Sequence, residues 1–146
     1  MNNFFFKSAN FIFLCLFISI STASNDKSLN LFINGNWIGA GVAYGPFRDG
    51  QAPGGKSPSV EELTEDLHII STHWDWIRVY GSRGITSDIL QIIREDNLNI
   101  KVMLGAWIAK EEGLSDAAVS NKEEISQAIK LANKFPDVVN SINIGN

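Results

Sequence analysis

Cysteine is nearly missing: Cys15 is the one thiol in 146 residues, and it lies in an apolar N-terminal run. A single thiol excludes a disulfide framework and a cysteine-based metal site. Histidine is almost as scarce. His68 and His73 are not spaced as metal ligands, and no third partner of that kind is at hand. His68 reads as a solvated or boundary helix residue, and His73, after the helix end, as a capping residue in preference to a base. Positive charge is in short supply, and a formal net charge of −4 leaves no basic footprint for nucleic acid. No apolar run approaches the roughly 20 residues of a comfortable membrane span. No G-x-S-x-G elbow offers a serine nucleophile. No G-x-G-x-x-G opens a helix, since Gly39-Ala40-Gly41 precedes a strand end. No motif implies a cofactor, and no internal repeat or low-complexity tract is visible.

What is present reads as globular, with 45% hydrophobic and 19% charged residues. Residues 1–24 have the three parts of a secretory signal peptide. Lys7 supplies one cation, Phe11 to Ile20 an apolar run, and Ser21-Thr22-Ala23 the small residues for cleavage. An uncleaved anchor stays open, because Phe4-Phe5-Phe6 extends the apolar character. Either way the expected location is secreted, periplasmic or cell-surface. Residues 25–36 read as a linker or a short edge hairpin around Asn34-Gly35. Residues 37–146 form the folded part.

Strand and helix signals then alternate. Trp37 to Tyr44 reads as a glycine-rich strand, followed by a loop from Gly45 to Pro58 whose glycines and prolines forbid helix. Ser59 and Glu62 form a capping box, and Val60, Leu63, Leu67 and Ile70 predict the buried stripe of the first helix. Trp76 to Tyr80 is the second strand. Thr86 or Ser87 caps a second helix with Ile89, Leu90 and Ile93 inward, and Asn97 is its stop. Ile100 to Leu104 is the third strand. Ser120 and Glu123 predict another capping box, with Ile125, Ala128, Ile129 and Ala132 as the stripe up to Pro136. Val138 to Ile144 reads as a buried fourth strand. The order β-α-β-α-β-α-β with short crossovers implies parallel strands joined right-handedly. Both an open doubly wound sheet and the first half of a (β/α)8 barrel, a fold of about 250 residues, fit that order.

Ligands of parallel α/β folds meet the C-terminal ends of the strands. Those ends carry Tyr44, Tyr80, Trp107 and Asn146, with Arg48 and Asp49 in the first loop. Aromatic rings offer flat apolar faces to the C–H side of a sugar, and amides and phenols bond its hydroxyls. The same aromatics also suit ordinary core, because they are good strand formers. Arg78 alternates with Ile77 and Val79. If those two pack under the helices, Arg78 faces the other way, beside a catalytic or a structural acid. The acidic clusters Glu61-Glu62-Glu65-Asp66 and Glu123-Glu124 read as solvated first turns that favour the helix dipole.

Four segments carry a resemblance to a known family: Gly41-Val42-Ala43-Tyr44-Gly45-Pro46-Phe47-Arg48-Asp49-Gly50-Gln51, Ile77-Arg78-Val79-Tyr80-Gly81, Val102-Met103-Leu104-Gly105-Ala106-Trp107-Ile108 and Asn143-Ile144-Gly145-Asn146. Together, in this order, they resemble glycoside hydrolase family 17, the β-1,3-glucanase-like (β/α)8 enzymes, in its bacterial branch. The resemblance implies a retaining hydrolase of β-linked glucan. It places the acid/base Glu immediately after Gly-Asn at the end of strand four and a nucleophilic Glu near strand seven, with carboxyls about 5–5.5 Å apart. It implies that Asn146 bonds the sugar beside the scissile bond, that Tyr44 and Tyr80 line the same subsite, that Trp107 lies in the cleft and that Arg78 supports it.

The sequence departs from the family at its last residue, where Asn146 is not followed by the Glu. The resemblance therefore implies the front half of a barrel, without either catalytic carboxylate and inert by itself. Its open sheet edges lead us to expect self-association. A glucan transglycosylase in the full-length protein, or a complete non-catalytic secreted module that binds a sugar or a protein, are the competing expectations.

Overall fold

The computed structural model describes residues 32–33, 36–37, 39–112 and 116–145. The expected signal peptide, most of the expected linker and Asn146 lie outside the described residues. A two-stranded antiparallel pair, β1 (Phe32–Ile33) and β2 (Asn36–Trp37), brackets Asn34-Gly35. The body follows as β3 (Gly41–Ala43), α1 (Val60–Ser71), β4 (Trp76–Arg78), α2 (Thr86–Glu95), β5 (Lys101–Ala106), α3 (Asp116–Lys134) and β6 (Val139–Ile144). Among the described residues no helix is long and apolar enough to cross a membrane.

The four body strands form one all-parallel sheet in the order β3-β4-β5-β6. A right-handed crossover that always steps the same way leaves its helix on the same side. The burial pattern agrees. Ile77 and Val79 in and just after β4, with Val102, Leu104 and Ala106 of β5, join Leu63, Leu67, Ile89, Leu90, Ile93, Leu131 and Phe135 in one core. The opposite face presents Arg78, Tyr80 and Met103, the first half-buried and the other two exposed. A doubly wound sheet reverses its strand order and carries helices on both faces. Among the described residues this sheet does neither.

Local chemistry explains the helix ends. Ser59 caps α1 with the reciprocal box: its Oγ accepts from the Glu62 N–H at 3.2 Å, and its N–H donates to Glu62 Oε2 at 2.8 Å. Asn97 adopts φ 52 just past α2, where a short polar side chain tolerates the left-handed region that ends a helix. Three expectations are corrected. Thr86 does not cap α2: Ile85 holds the N-cap position, and the Thr86 hydroxyl donates instead to the Gly81 carbonyl at 2.8 Å. Val60, at the first turn of α1, is exposed. Helix α3 begins at Asp116, so Ser120 lies inside it and caps nothing.

The α3 stripe is also rotated from the expected one. Asn121, Glu124, Ala128 and Leu131 are buried, while Ile125 and Ile129 are exposed. Spacings of three, four and three make the observed set a proper helical face. Two of its members are polar, and for that reason an apolar count passes over it.

The last strand departs from expectation as well. Val102 pairs with Val139 but Met103 pairs with Ser141, so Asn140 is an extra residue that bulges β6. Beyond the bulge, Ser141 and Asn143 share the face of Met103 and Gly105. Ile142 and Ile144 share the helix-side face of Leu104 and Ala106, and they are exposed there, Ile144 at 70%. Strand β6 is thus not a buried strand: it is an edge on which Val139 packs against the core while Ile142 and Ile144 stay uncovered.

The carboxylates that fasten this frame make it acid-sensitive. The Ser59 N–H and the Gln51 amide hold the Glu62 carboxyl below its ordinary range, and the Arg94 guanidinium does the same for Asp137. A carboxyl depressed by folding stabilises the native state above its unfolded pKa, roughly 4.3 for Glu and 3.9 for Asp. That contribution is lost as pH falls through the folded value. We expect the urea midpoint to be flat from about pH 7 to 5 and to fall below about pH 4. In Glu62→Gln the fall is expected to be shallower; an unchanged slope would show that the capping carboxylate is not one of the titrating groups.

Candidate functional site

The C-terminal ends of β3, β4 and β5 open into a cleft of about 730 Å³. Its walls come from the loops after β3 and β4, and its lining includes Tyr44, Phe47, Tyr80, Trp107 and Glu124. The ladder reaches past the strand ends to place them. The Tyr44 N–H donates to the Arg78 carbonyl at 2.9 Å, and the Val79 N–H to the Met103 carbonyl at 3.1 Å. Tyr80 and Trp107 are the open aromatics, 39% and 49% exposed. The Arg78 guanidinium lies over the Tyr80 ring, 4.9 Å from its centroid, a cation–π contact that steadies the ring.

Tyr44 belongs to the wall. It is 8% exposed and its hydroxyl donates to Asp66 Oδ2 at 3.0 Å. Burial, reinforced by the bond to Asp66, raises its pKa, so the phenol stays protonated. Asp66 is corrected with it: half-buried and bonded, this carboxylate is not part of a solvated face. Arg48 also turns away from the cleft. Its guanidinium reaches back to Glu65 (2.8 Å), Asp66 (2.7 Å) and the Glu62 carbonyl (3.1 Å). Gln51 adds a bond to Glu62 at 2.8 Å. The long β3–α1 loop is therefore pinned to α1, and the cleft wall it forms is a built one.

Glu124 is the residue that sequence reading missed. Expected on a solvated first turn, it is 2% exposed and lines the cleft. Its carboxylate accepts from Ser82 N–H, Arg83 Nε and Trp107 N–H. The misplaced start of α3 hid it, although its place three and seven residues from Asn121 and Leu131 was a readable signal. A second buried polar residue, Asn121, clamps the next loop: its amide exchanges bonds with both backbone groups of Ala109 at 2.8 and 2.9 Å.

Three of the four expected site residues, Tyr44, Tyr80 and Trp107, thus line one cleft, and the fourth, Asn146, is outside the described residues. Among the described residues that line the cleft, Glu124 is the single carboxylate. Comparison with family models, characterised protein sequences and solved structures gave no match.

Proposed function

We propose that the cleft holds a carbohydrate chain, and that these residues form the first half of a (β/α)8 glycan-processing barrel. The observation that carries the reading is the pair of exposed rings, Tyr80 and Trp107, in one cleft at the carboxyl lip of consecutive parallel strands. Pyranose rings bind through C–H faces laid on aromatic rings, which suits an apolar cleft with few polar groups. The monotonic strand order and the single helix layer support the barrel. So does the uncovered face of Ile142 and Ile144, the place where a barrel sets its next helix.

Within that class, the four segments described above favour a β-1,3-glucanase-like protein of glycoside hydrolase family 17. The N-terminal run gives it a secreted, periplasmic or surface location. Retaining hydrolysis takes two carboxyls about 5–5.5 Å apart. The cleft holds one, Glu124, and that carboxylate already accepts from three donors. We therefore assign binding to this chain and cleavage to carboxylates outside the described residues.

Titration calorimetry with laminarihexaose tests the reading. Wild-type chain is expected to bind, and Trp107→Ala to bind about tenfold or more weakly, the loss typical of an aromatic anchor. Trp107 is only half exposed but lies outside the hydrophobic core, so the variant is expected to stay folded, which far-UV circular dichroism checks. Equal affinity in the two proteins would remove the cleft from the proposal, and release of reducing sugar from laminarin above a buffer control would overturn the division between binding and cleavage.

A further inference from the structure

We infer that Glu124 is a positioning residue: its buried carboxylate sets the separation and tilt of the Tyr80 and Trp107 surfaces, and so selects the shape of the chain laid across them. As a statement about the ligand this rests on the carbohydrate reading. As a statement about geometry it does not.

The argument begins with burial. A carboxylate that is 2% exposed persists only where its lone pairs are satisfied. Here the donors come from two different segments. Oε1 accepts from Ser82 N–H at 2.5 Å and from Trp107 N–H at 3.2 Å, and Oε2 accepts from Arg83 Nε at 2.7 Å. The backbone of the same residue joins in, its carbonyl accepting from Ser82 Oγ at 2.7 Å. Ser82 stands two residues after Tyr80, and Trp107 is the other open ring itself. One side chain from α3 therefore holds the main chain beneath both aromatic surfaces.

The fit is close on the Tyr80 side. A Cβ added at Gly81 would lie 3.1 Å from Glu124 Oε1, so glycine lets the loop approach the carboxylate. Thr86 fixes the far end of that loop through its bond to the Gly81 carbonyl. Arg83 is bound on its outer side to Glu123 and Ser120, which orients its Nε toward Glu124.

Glutamine cannot replace this group. It has the same shape, but one of its two ends is an NH₂ donor. Whichever way the amide turns, a donor faces either Arg83 Nε or the Ser82 and Trp107 N–H groups, and at least one bond becomes a repulsive contact.

Fluorine NMR of the full chain labelled with 5-fluorotryptophan reads the consequence without any ligand. The chain has four tryptophans, and Trp107→Phe assigns the Trp107 signal. In Glu124→Gln we expect the Trp107 resonance to move by more than its linewidth while those of Trp74 and Trp76, at the other end of β4, stay in place. Laminarihexaose affinity in the same variant is expected to fall about tenfold. Arg83→Gln removes one donor at a half-exposed position and is expected to move the same resonance by less. It decides the matter if Glu124→Gln does not fold. A Trp107 signal that stays in place in folded Glu124→Gln, or in Arg83→Gln where that is the deciding variant, overturns the inference. A Trp107 shift in a chain whose wild type ignores laminarihexaose removes the glucan reading and leaves the positioning role standing.

Discussion

Gly105→Ala is expected to destabilise the chain by about 3 kcal/mol or more, the upper range for forcing atoms into filled space. A Cβ at this position would fall 2.3 Å from both the carbonyl carbon and oxygen of Tyr80, and 2.4 Å from the Val79 oxygen. These are backbone atoms, so no side-chain rotamer relieves the overlap. The obstructed segment is Val79-Tyr80, just after β4, where it lies against β5, and it carries Tyr80 into the cleft. Urea unfolding would show the lost stability, and near-UV circular dichroism would show the displaced aromatic. A midpoint within experimental error of wild type would mean that the two strands do not approach as closely as described.

Phe135→Ala is expected to cost about 3–5 kcal/mol, the range for emptying a buried phenylalanine site. The ring is 1% exposed at the end of α3. The Arg94 guanidinium lies 4.2 Å from its centroid and the Lys134 ammonium 4.8 Å. Arg94 also donates to Asp137 and to the Lys134 carbonyl, so the ring sits where α2, α3 and the turn into β6 are joined. Domains have a total stability of only about 5–15 kcal/mol, and this substitution would remove much of it. Thermal or chemical denaturation gives the answer. A loss below about 1 kcal/mol would indicate that the surroundings collapse onto the site, contrary to the packing described here.

Signals that are complete within a few residues are legible in the sequence, and those that depend on distant partners are not. Leu63, Leu67, Ile89, Leu90 and Ile93 stand at helical spacing, and they are the buried faces of α1 and α2. The capping box at Ser59 and the stop at Asn97 are local devices, complete within a few residues, and both are formed. The buried face of α3 escapes an apolar count because it mixes Asn121 and Glu124 with Ala128 and Leu131. Polar residues enter a core when distant segments supply their partners, and the partners of Glu124 lie 17 to 42 residues away. Tyr44 follows the same logic: its place at a strand end is legible, but its burial against Asp66, 22 residues on, is not.

The sequence by itself determined the order of strands and helices, the helix ends that close on their own neighbours, and the set of aromatics gathered at the strand ends. Those properties follow from periodicity and short-range hydrogen bonds, which act within one or two turns of chain. Only the tertiary structure decided that the sheet runs without reversal, that the bulge at Asn140 turns Ile142 and Ile144 outward, and that a carboxylate from α3 holds the rings of the cleft. Each of these depends on which residue stands opposite another across the fold. A one-residue shift in pairing changes the face of every side chain beyond it, and so the cleft is a property of register.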